Sequence, residues 1–342
     1  MMHNGTVPVG IVGASGYGGA ELVRLLEAHP MFDLAVATGG EQAGRPLREV
    51  APQVDSDLIL APSRSEELDG CAVVFLAAPH GVSLALAPAL VSAGATVIDL
   101  SGAFRLDPEQ FTAWYGEEHT APELAPAPYG LPELFVDDLA GARLIANPGC
   151  YPTAALLALA PLASLVDPAS VHIAGMSGTS GAGKGLRDDL HVSHALGNAA
   201  AYGAPRHRHT PEIERGWQRL TGVPAPVTFT PHLVPMTRGL LCTVTAQLAA
   251  DVDPEAVTAH LTKTFQGQPF VRVTESWPST SHLRGSNAAA VAAAVDERTG
   301  RVTASCAIDN LGKGAAGQAV QNANIAVGLQ QRTGLTATGV YP

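Results

Sequence analysis

The chain has 342 residues, 46% of them apolar, and a net charge of −11 from 20 basic and 31 acidic side chains. This length predicts about two domains with packed cores, and the acidic balance argues against a nucleic-acid-binding surface. The absence of any run of ~18 apolar residues argues against a membrane span, and the lack of a secretory signal predicts a cytoplasmic protein.

Strand and helix patterns alternate along the first third of the chain. Apolar runs with the length of buried strands lie at 7–14, 32–38, 71–79 and 95–102. Helical spacing lies between them at 18–30 and at 80–94, where Pro88 is expected to interrupt or bend the helix. This alternation predicts parallel βαβ units.

The pattern changes in the second half of the chain. Residues 103–146 are rich in proline and acids and predict irregular structure, followed by a short strand at 143–149 and an Ala/Leu-rich helix at 152–166. β-prone runs then dominate, at 171–178, 226–236, 239–250, 270–276, 287–295 and 301–309. A turn at 296–300 predicts a hairpin, and helices are expected at 254–265 and 312–330. The fold class is therefore α/β: a Rossmann-like parallel-sheet nucleotide domain plus an α+β catalytic domain with a mostly antiparallel sheet.

A glycine-rich loop joins the first strand to the first helix. Gly13, Gly16 and Gly19 lie in GASGYGG, and a dinucleotide site needs such a loop so that a pyrophosphate can approach the helix N-terminus. An ordinary glycine turn is the alternative. The second strand ends at Thr38 without the acid typical of NAD sites, and Arg45 is nearby, so NADP is favoured over NAD.

Four cysteines are too few for a disulfide framework in a chain of this size. Cys71, Cys242 and Cys306 lie in β-prone apolar runs and are expected to be buried and inert. Cys150 instead lies in the turn sequence NPGCYPT at the start of a helix. The positive end of a helix dipole lowers the pKa of a thiol, so Cys150 is a candidate nucleophile, with a structural thiol as the alternative.

Two further segments carry chemistry. HRHTPEI (207–213) offers a proton carrier in His207 and a carboxylate in Glu212 to orient it, and a surface cluster and a metal site with HVSH (191–194) are alternatives. No metal is predicted. The loop GMSGTSGAGKG (175–185) has N–H groups to hold an anion and does not fit the Walker pattern; a flexible connector is the alternative.

Taken together, these segments resemble the N-acetyl-gamma-glutamyl-phosphate reductase family of semialdehyde dehydrogenases, and the similarity covers nearly the whole chain. The matching stretches are GASGYGGAEL (13–22), APHGVS (78–83), DLSGAFRL (99–106), YGLPEL (129–134), NPGCYPTA (147–154), SGTSGAGK (177–184), HRHTPEI (207–213), PHLVPMTRG (231–239) and DNLGKGAAGQAVQN (309–322).

The resemblance implies NADPH-dependent reductive dephosphorylation of N-acetyl-L-glutamyl 5-phosphate to N-acetyl-L-glutamate 5-semialdehyde in arginine biosynthesis. Cys150 would form the thioester, His207 would protonate the alkoxide or the returning sulfur, and Glu212 would orient His207. The substrate side chains would be Arg105, Ser177, Lys184, Tyr202, His209 and Arg238, with the two arginines as anion partners. The cofactor-binding residues would be Gly13, Ser15, Gly16, Tyr17, Gly18, Thr38, Arg45, Pro79, Ser180, Gly181, Asn310 and Gln318.

The resemblance also implies the domain organisation. Residues 1–149 and 312–342 would form the NADP-binding domain, and 150–311 the catalytic, substrate-binding and oligomerisation domain. The partners would be the acyl phosphate, inorganic phosphate and further copies of the chain in a homo-oligomer, a tetramer or a dimer, with neither nucleic acid nor membrane. The alternatives are a lysine-pathway paralogue acting on a carrier-bound aminoadipyl phosphate, an aspartate-semialdehyde dehydrogenase, and a non-catalytic nucleotide-sensing regulator.

Two departures from the family pattern affect binding residues. The loop after the second strand, ATGGEQAG, lacks the serine or arginine expected to hold the NADP 2′-phosphate. The stretch AYGAPRHRH is about one residue short between Tyr202 and His207, which weakens the case for Tyr202.

Overall fold

A computed structural model of the chain describes residues 5–249 and 252–341. Residues 1–4, 250, 251 and 342 lie outside it, and with them the start and end of the expected nucleotide domain and the last residue of the strand predicted at 239–250. The chain divides into two compact units, Met1–Gly149 with Ala315–Thr336, and Cys150–Gly314 with Ala337–Pro342.

The first unit contains a five-stranded sheet in the order β2-β1-β3-β4-β5, in which every pair is parallel. The strands are β1 Val7–Val12, β2 Phe32–Thr38, β3 Val73–Leu76, β4 Thr96–Asp99 and β5 Leu144–Ala146. The helices of this unit are α1 Tyr17–Glu27, α2 Leu47–Val50, α3 His80–Ser92, α4 Pro108–Tyr115, α5 Pro132–Phe135 and α10 Gly317–Ala326. The parallel βαβ units predicted from the sequence are confirmed.

Both faces of this sheet are covered, as β3 shows. Val73 and Phe75 of β3 pack in the cluster that contains α1 and α10, whereas Val74 and Leu76 pack in the cluster that contains α3 and α4. Because successive strand residues point to opposite faces, a strand covered on both sides is apolar throughout. That burial explains why the sequence shows short continuous apolar runs here rather than alternation.

The second unit contains a seven-stranded sheet in the order β10-β11-β12-β9-β6-β8-β7. Its strands are β6 His172–Ser177, β7 Ala200–Ala201, β8 Thr228–Leu233, β9 Leu240–Gln247, β10 Val271–Val273, β11 Ala289–Asp296 and β12 Arg301–Ile308. Its helices are α6 Cys150–Leu159, α7 Val192–Ala195, α8 Thr210–Thr221 and α9 Pro254–Thr264. Four of the six strand pairs are antiparallel, including the β11–β12 hairpin, so the mostly antiparallel sheet is confirmed.

Helix α6 is the buried helix of the second unit. Every residue from Tyr151 to Leu159 is buried, and the helix contacts β6, β9, β11, β12 and α8. A β-carbon on Gly216 of α8 would lie 2.5 Å from Leu156, so glycine is required where the two helices meet. The packing fixes α6 along its length and leaves Cys150 at its amino end.

The structure corrects several predicted elements. Helix α3 continues through Pro88, and α4 occupies part of the segment expected to be irregular. Helix α4 has a clear start in the sequence, because Asp107 caps it by accepting the Gln110 N–H and Pro108 stands at its first position. The segment predicted as one helix at 312–330 is a π-helical turn, Gly312–Ala316, followed by α10.

The bounds of the units also differ from the predicted domains. Residues 312–314 and 337–341, predicted in the nucleotide domain, lie in the second unit. The hydrogen bond from the Val340 N–H to the Arg284 carbonyl, 2.8 Å long, is one contact that holds the last segment there. No helix within 5–249 and 252–341 combines the length and the apolar character needed to cross a membrane.

Buried His29 connects the end of α1 to the C-terminal part of the first unit. Its Nδ1 accepts the Phe32 N–H at 2.9 Å, and its Nε2 lies 3.0 Å from the Thr333 carbonyl and 3.2 Å from Asn324 Oδ1. Burial lowers the pKa of His29, and the bonds to Thr333 and Asn324 oppose that shift only in part. The folded protein therefore favours the neutral form of His29 more strongly than the unfolded chain does.

We expect this neutrality to make unfolding depend on pH. The unfolded chain binds a proton at this histidine near pH ~6.5, so the contribution of His29 to the free energy of unfolding should be constant above that pH and fall as the pH drops below it, by at most about 1.4 kcal/mol per pH unit. In urea titrations at several pH values, His29→Gln should reduce this slope. The matched variant His172→Gln replaces an exposed histidine and should keep the wild-type slope. An unchanged slope in His29→Gln would contradict the assignment.

Candidate active site

The glycine loop of the first unit has the backbone that its sequence predicts. Gly13 has a φ of +87°, and a β-carbon there would lie 2.5 Å from the Ala77 carbonyl oxygen. A β-carbon on Gly19 would lie 2.1 Å from the Gly13 carbonyl oxygen. Only glycine fits at these two positions, because the loop folds tightly against β3 and against itself.

The amino end of α1 fits a pyrophosphate group. Gly16 caps the helix without a side-chain hydrogen bond, and a β-carbon on Gly18 would have no heavy atom within 4 Å. Backbone N–H groups in the first turn of a helix attract anions, and the lack of side chains at Gly16 and Gly18 lets a ligand approach them closely. The residues present therefore fit a dinucleotide.

The other predicted cofactor residues of the first unit range from exposed to fully buried. Ser15 lies within the loop, Tyr17 is the first residue of α1 and is 42% exposed, and Pro79 is exposed just before α3. Gln318 is fully buried in α10, where its Nε2 donates to Asn322 at 3.3 Å.

The end of β2 is built from backbone and hydroxyl groups. The Thr38 carbonyl accepts the N–H groups of Gly13 and Ala14, and the Thr38 hydroxyl lies 2.8 Å from the hydroxyl of Ser63. The sequence predicted Thr38 here and missed Ser63. Arg45, also predicted for the cofactor, hydrogen-bonds to Gln42 and Glu49.

Cys150 differs from the other three cysteines in the way the sequence predicted. It is the first residue of α6 and is partly exposed, whereas Cys71, Cys242 and Cys306 are buried. Burial, with a smaller contribution from Asp69, raises the pKa of Cys71 to about 11. Burial also raises the pKa of Cys242. A β-carbon on Gly314 would lie 2.8 Å from the Cys150 β-carbon, so a glycine is needed beside the thiol.

An aromatic cluster surrounds the residue that follows Cys150. The Tyr151 ring makes edge contacts with His207 at 5.8 Å, His209 at 6.0 Å and Phe229 at 5.2 Å between ring centroids. Tyr202 joins this cluster, because its ring lies 5.5 Å from His207 and its hydroxyl donates to the Tyr151 hydroxyl at 3.2 Å. The structure thus brings together three predicted residues, His207, His209 and Tyr202, around Tyr151.

Tyr151 was not among the predicted site residues. Its hydroxyl donates to the His232 carbonyl at 3.0 Å, and burial, followed by Tyr202, raises its pKa. A β-carbon on Gly175 of β6 would lie 2.5 Å from the Tyr151 ring, so Gly175 leaves space for that ring. The signal in the sequence was the position of Tyr151 next to the thiol in NPGCYPT.

The hydrogen bond at Nδ1 determines the protonation state of His207. Nδ1 accepts the backbone N–H of His209 at 3.2 Å, so the proton of the neutral ring is on Nε2. Burial, followed by the charge of Arg208, lowers the pKa of His207 to about 4. The ring is therefore neutral near pH 7, with Nε2 as a hydrogen-bond donor.

Glu212 is the residue predicted to orient His207. In the structure Nδ1 of His207 accepts the His209 N–H, so a carboxylate could only accept the N–H at Nε2. The orienting role of Glu212 stays a prediction. Glu212 is buried in the first turn of α8. The backbone that leads into α8 orients the imidazole at Nδ1.

A second group of predicted residues follows β6. Ser177, at the end of β6, is 3% exposed and donates to the Gly178 carbonyl, while Ser180 accepts the Asn310 Nδ2–H at 2.9 Å. Asn310 Oδ1 accepts the Gly239 N–H at 2.8 Å. A β-carbon on Gly181 would lie 2.8 Å from the Ser177 hydroxyl. These contacts order the loop after β6, so it is not merely a flexible connector.

Arg238 has a different partner from the predicted substrate. Its Nε and Nη2 donate to Asp309, each at 3.0 Å, and Asp309 is fully buried and also accepts the N–H groups of Gly285, Leu311 and Gly312. A guanidinium holds a substrate anion best through two adjacent N–H groups. Asp309 occupies the Nε/Nη2 edge, so Arg238 neutralises a buried carboxylate, and its role as an anion partner of the substrate stays a prediction.

Arg105, the other predicted anion partner, also bonds within the protein. It is 5% exposed, its Nε donates to the Asn147 carbonyl at 2.9 Å, and its Nη2 donates to the Leu100 carbonyl at 2.8 Å. Asn147 stands three residues before Cys150 in the chain. The structure therefore supports a role for Arg105 in fixing the loop after β5.

Two remaining predictions concern Lys184 as a substrate residue and the alternative of a metal site that includes HVSH (191–194). Lys184 is exposed in the loop after β6. Within the described parts of the chain, no three or more His, Cys, Asp or Glu side chains are grouped as metal ligands. His191 uses its Nδ1 to cap α7 by accepting the Ser193 N–H.

Comparison with protein families assigns both units. Residues 8–142 match the model described as "Semialdehyde dehydrogenase, NAD binding domain", and residues 150–310 match "Semialdehyde dehydrogenase, dimerisation domain". Solved structures with the same fold include aspartate semialdehyde dehydrogenase II from Vibrio cholerae, with a TM-score of 0.71, 19% identity and coverage of 94% of this chain and 98% of that one. Aspartate semialdehyde dehydrogenase with NADP from Candida albicans has a TM-score of 0.70, 16% identity and the same coverage.

Curated relatives are much more similar in sequence. The N-acetyl-gamma-glutamyl-phosphate reductase of Symbiobacterium thermophilum is 47% identical over 98% of this chain and 100% of its own length. The protein of the same name from Acidothermus cellulolyticus is 48% identical over 98% of this chain and 99% of its own length. Identity at this level over whole chains shows that the protein belongs to the N-acetyl-gamma-glutamyl-phosphate reductase family of semialdehyde dehydrogenases.

Proposed function

We propose that the protein catalyses the NADPH-dependent reductive dephosphorylation of N-acetyl-L-glutamyl 5-phosphate to N-acetyl-L-glutamate 5-semialdehyde, a step of arginine biosynthesis. The observation that carries this proposal is the partly exposed thiol of Cys150 at the amino end of α6, in a chain whose other cysteines are buried. A thiol in that position supports acyl transfer because the helix dipole favours the thiolate.

The first step is acyl transfer to sulfur. The Cys150 thiolate attacks the acyl carbon, a C–S bond forms, the bond from carbon to the phosphate oxygen breaks, and the phosphate takes a proton from water. The product is a thioester on Cys150 and inorganic phosphate. A thioester keeps its carbonyl carbon electrophilic, which suits the reduction that follows.

The second step is reduction of the thioester. NADPH, when bound, supplies the hydride that reduces the thioester carbon. Negative charge then develops on the former carbonyl oxygen, and a neutral His207 with its proton on Nε2 can stabilise that oxygen by donating a hydrogen bond. When the C–S bond breaks, the carbonyl forms again, the semialdehyde leaves and the Cys150 thiolate is restored. His207 therefore gives up no proton overall.

Most of the proposed cofactor residues lie in the first unit, whereas Ser180, Gly181 and Asn310 lie in the second. Gly13, Ser15, Gly16, Tyr17 and Gly18 would hold the pyrophosphate through the loop and the first turn of α1. Support comes from the tight backbone at Gly13 and the open space at Gly18. The remaining proposed cofactor residues are Thr38, Arg45, Pro79, Ser180, Gly181, Asn310 and Gln318.

The proposed substrate residues lie in the second unit, apart from Arg105 in the first. Tyr202 and His209 are supported by their contacts in the cluster around Tyr151. Ser177 and Lys184 belong to the proposal through the loop after β6. Arg105 and Arg238 are the proposed anion partners, and each also makes contacts within the protein, Arg105 to Asn147 and Leu100 and Arg238 to Asp309.

The second unit matches a dimerisation-domain model, and the protein is accordingly a homo-oligomer. As parts of the proposal, this homo-oligomer is a tetramer, inorganic phosphate is the released product, and the enzyme is cytoplasmic.

The function is tested in the reverse direction. The purified protein should reduce NADP⁺ in the presence of N-acetyl-L-glutamate 5-semialdehyde only when inorganic phosphate or arsenate is added, because the thioester needs an oxyanion to accept the acyl group. Absorbance of the reduced cofactor measures the rate. No turnover, or equal rates without either anion, would show that the proposed reaction is wrong.

A further inference from the structure

The carboxyl end of β2 lacks the acid that would bind the two ribose hydroxyls of NAD. It ends at Thr38, which is fully buried and whose hydroxyl lies 2.8 Å from the hydroxyl of Ser63. The glycine loop is adjacent, since the Thr38 carbonyl accepts two of its N–H groups. A dinucleotide held by that loop places its adenosine ribose at the end of the second strand.

The chain returns to this place after a long loop. Ala61 pairs with Thr38 as a parallel bridge, its N–H donates to the Ala37 carbonyl at 2.9 Å, and its own carbonyl accepts the Gly39 N–H at 3.2 Å. Because the pairing is parallel, the chain beyond Ala61 continues past the carboxyl end of β2. Ser63 and Arg64 follow directly at that end.

Arg45 and Arg64 are the two candidates to bind an anion near this strand end. Arg45 donates with Nε and Nη2 to Glu49 and with Nη1 to Gln42, so all three nitrogens of its head are engaged. Arg64 is 65% exposed and donates through Nη2 to Glu67 at 3.0 Å. Both ion pairs are exposed and therefore weak. A phosphate would have to replace three hydrogen bonds at Arg45 but one at Arg64, which favours Arg64.

We propose that Ser63 and Arg64 form the subsite for the 2′-phosphate of NADP(H) and set the preference for NADPH over NADH. The Ser63 hydroxyl would donate a hydrogen bond, and the Arg64 guanidinium would supply the charge and a planar set of N–H donors. The subsite replaces the serine or arginine that the loop after β2 lacks. This inference rests on the NADP part of the proposed function.

The test measures cofactor binding by the full-length protein, without substrate. Dissociation constants are determined by calorimetry for NADPH, NADH, 2′,5′-ADP and 5′-AMP. Arg64→Ala should raise Kd for NADPH and 2′,5′-ADP at least about tenfold and leave Kd for NADH and 5′-AMP unchanged, because only the first two carry the 2′-phosphate. Ser63→Ala should cause a smaller rise of the same selectivity.

The control is Arg48→Ala, which removes a neighbouring arginine that pairs with Asp57 and should leave all four constants unchanged. The inference is overturned if Arg64→Ala changes Kd for NADPH less than twofold, if it weakens NADH equally, or if Arg45→Ala alone gives the selective loss. Binding requires no acyl phosphate, so selective NADPH binding without phosphate-dependent turnover would refute the proposed reaction and support the subsite.

Discussion

Replacing Cys150 by serine is expected to lower kcat for phosphate-dependent NADP⁺ reduction by roughly three to six orders of magnitude. Serine has nearly the shape of cysteine, so α6 and its packing should persist. Its hydroxyl ionises far less readily than a thiol, and the oxygen ester it would form is a poorer hydride acceptor than a thioester. The loss should therefore fall on the chemical step and not on cofactor binding.

Two measurements test whether Cys150→Ser affects the chemical step and leaves cofactor binding intact. The first is kcat for Cys150→Ser together with Kd for NADPH, which should equal the wild-type value. The second is alkylation by iodoacetamide followed by mass spectrometry, in which Cys150 should be modified before the three buried thiols. The structure makes this order sharp for Cys71, since its pKa is raised to about 11 and little thiolate exists near pH 7.

Cys71→Ala serves as the control, because it removes a different thiol from the first unit and should leave kcat near the wild-type value. Inactivation that accompanies modification of Cys71 or Cys306, with Cys150 unmodified, would contradict the role of Cys150. A Cys150→Ser variant that retains substantial turnover would do the same.

Elements whose signal is local could be predicted from the sequence. Strand β2 was predicted at its observed bounds, because a short apolar run that ends in glycines carries its own limits. The glycine loop was also predictable, since a backbone with a φ of +87° at Gly13 demands that residue. Helix α4 was missed although Asp107 and Pro108 mark its start, because the proline and acid content of the surrounding segment outweighed a two-residue signal.

Pairings between distant residues could not be predicted in the same way. Arg238 and Asp309 are 71 positions apart, and only the fold shows that the Asp309 carboxylate accepts hydrogen bonds from the Arg238 guanidinium. Ser63 reaches Thr38 through the return of the chain at Ala61, which has no signature in the sequence. The resemblance supplied residue types and approximate roles, whereas the hydrogen-bond partners that decide those roles required coordinates.

Substitutions of His207 are expected to show whether the imidazole donates a hydrogen bond or transfers a proton. In the structure its Nδ1 accepts the His209 N–H, so the proton is on Nε2 and the ring can only donate there. His207→Ala removes the donor and should lower kcat by about 10²–10³-fold, the usual cost of losing one donor to a developing oxyanion. His207→Gln keeps an amide N–H at a similar reach and should stay within about tenfold of the wild type.

The pH profile distinguishes a donor from a general acid or base. A histidine with an ordinary pKa near ~6.5 that transfers the critical proton would give kcat a limb between about pH 6 and 8. Burial lowers the pKa of His207 to about 4, so the neutral ring persists across that range and its titration should leave kcat flat there. Any limb from His207 should appear only as the pH approaches about 4.

A limb near neutral pH that disappears in His207→Gln would show that the imidazole transfers a proton, and the donor role would be wrong. Near-normal rates in both His207 variants would move the role to His209, whose ring lies 4.9 Å from that of His207 between centroids. His172→Gln, at an exposed histidine on β6, controls for nonspecific effects of losing an imidazole. The pair of Ala and Gln variants is decisive because Gln preserves the N–H donor but cannot carry a proton between groups at any of these pH values.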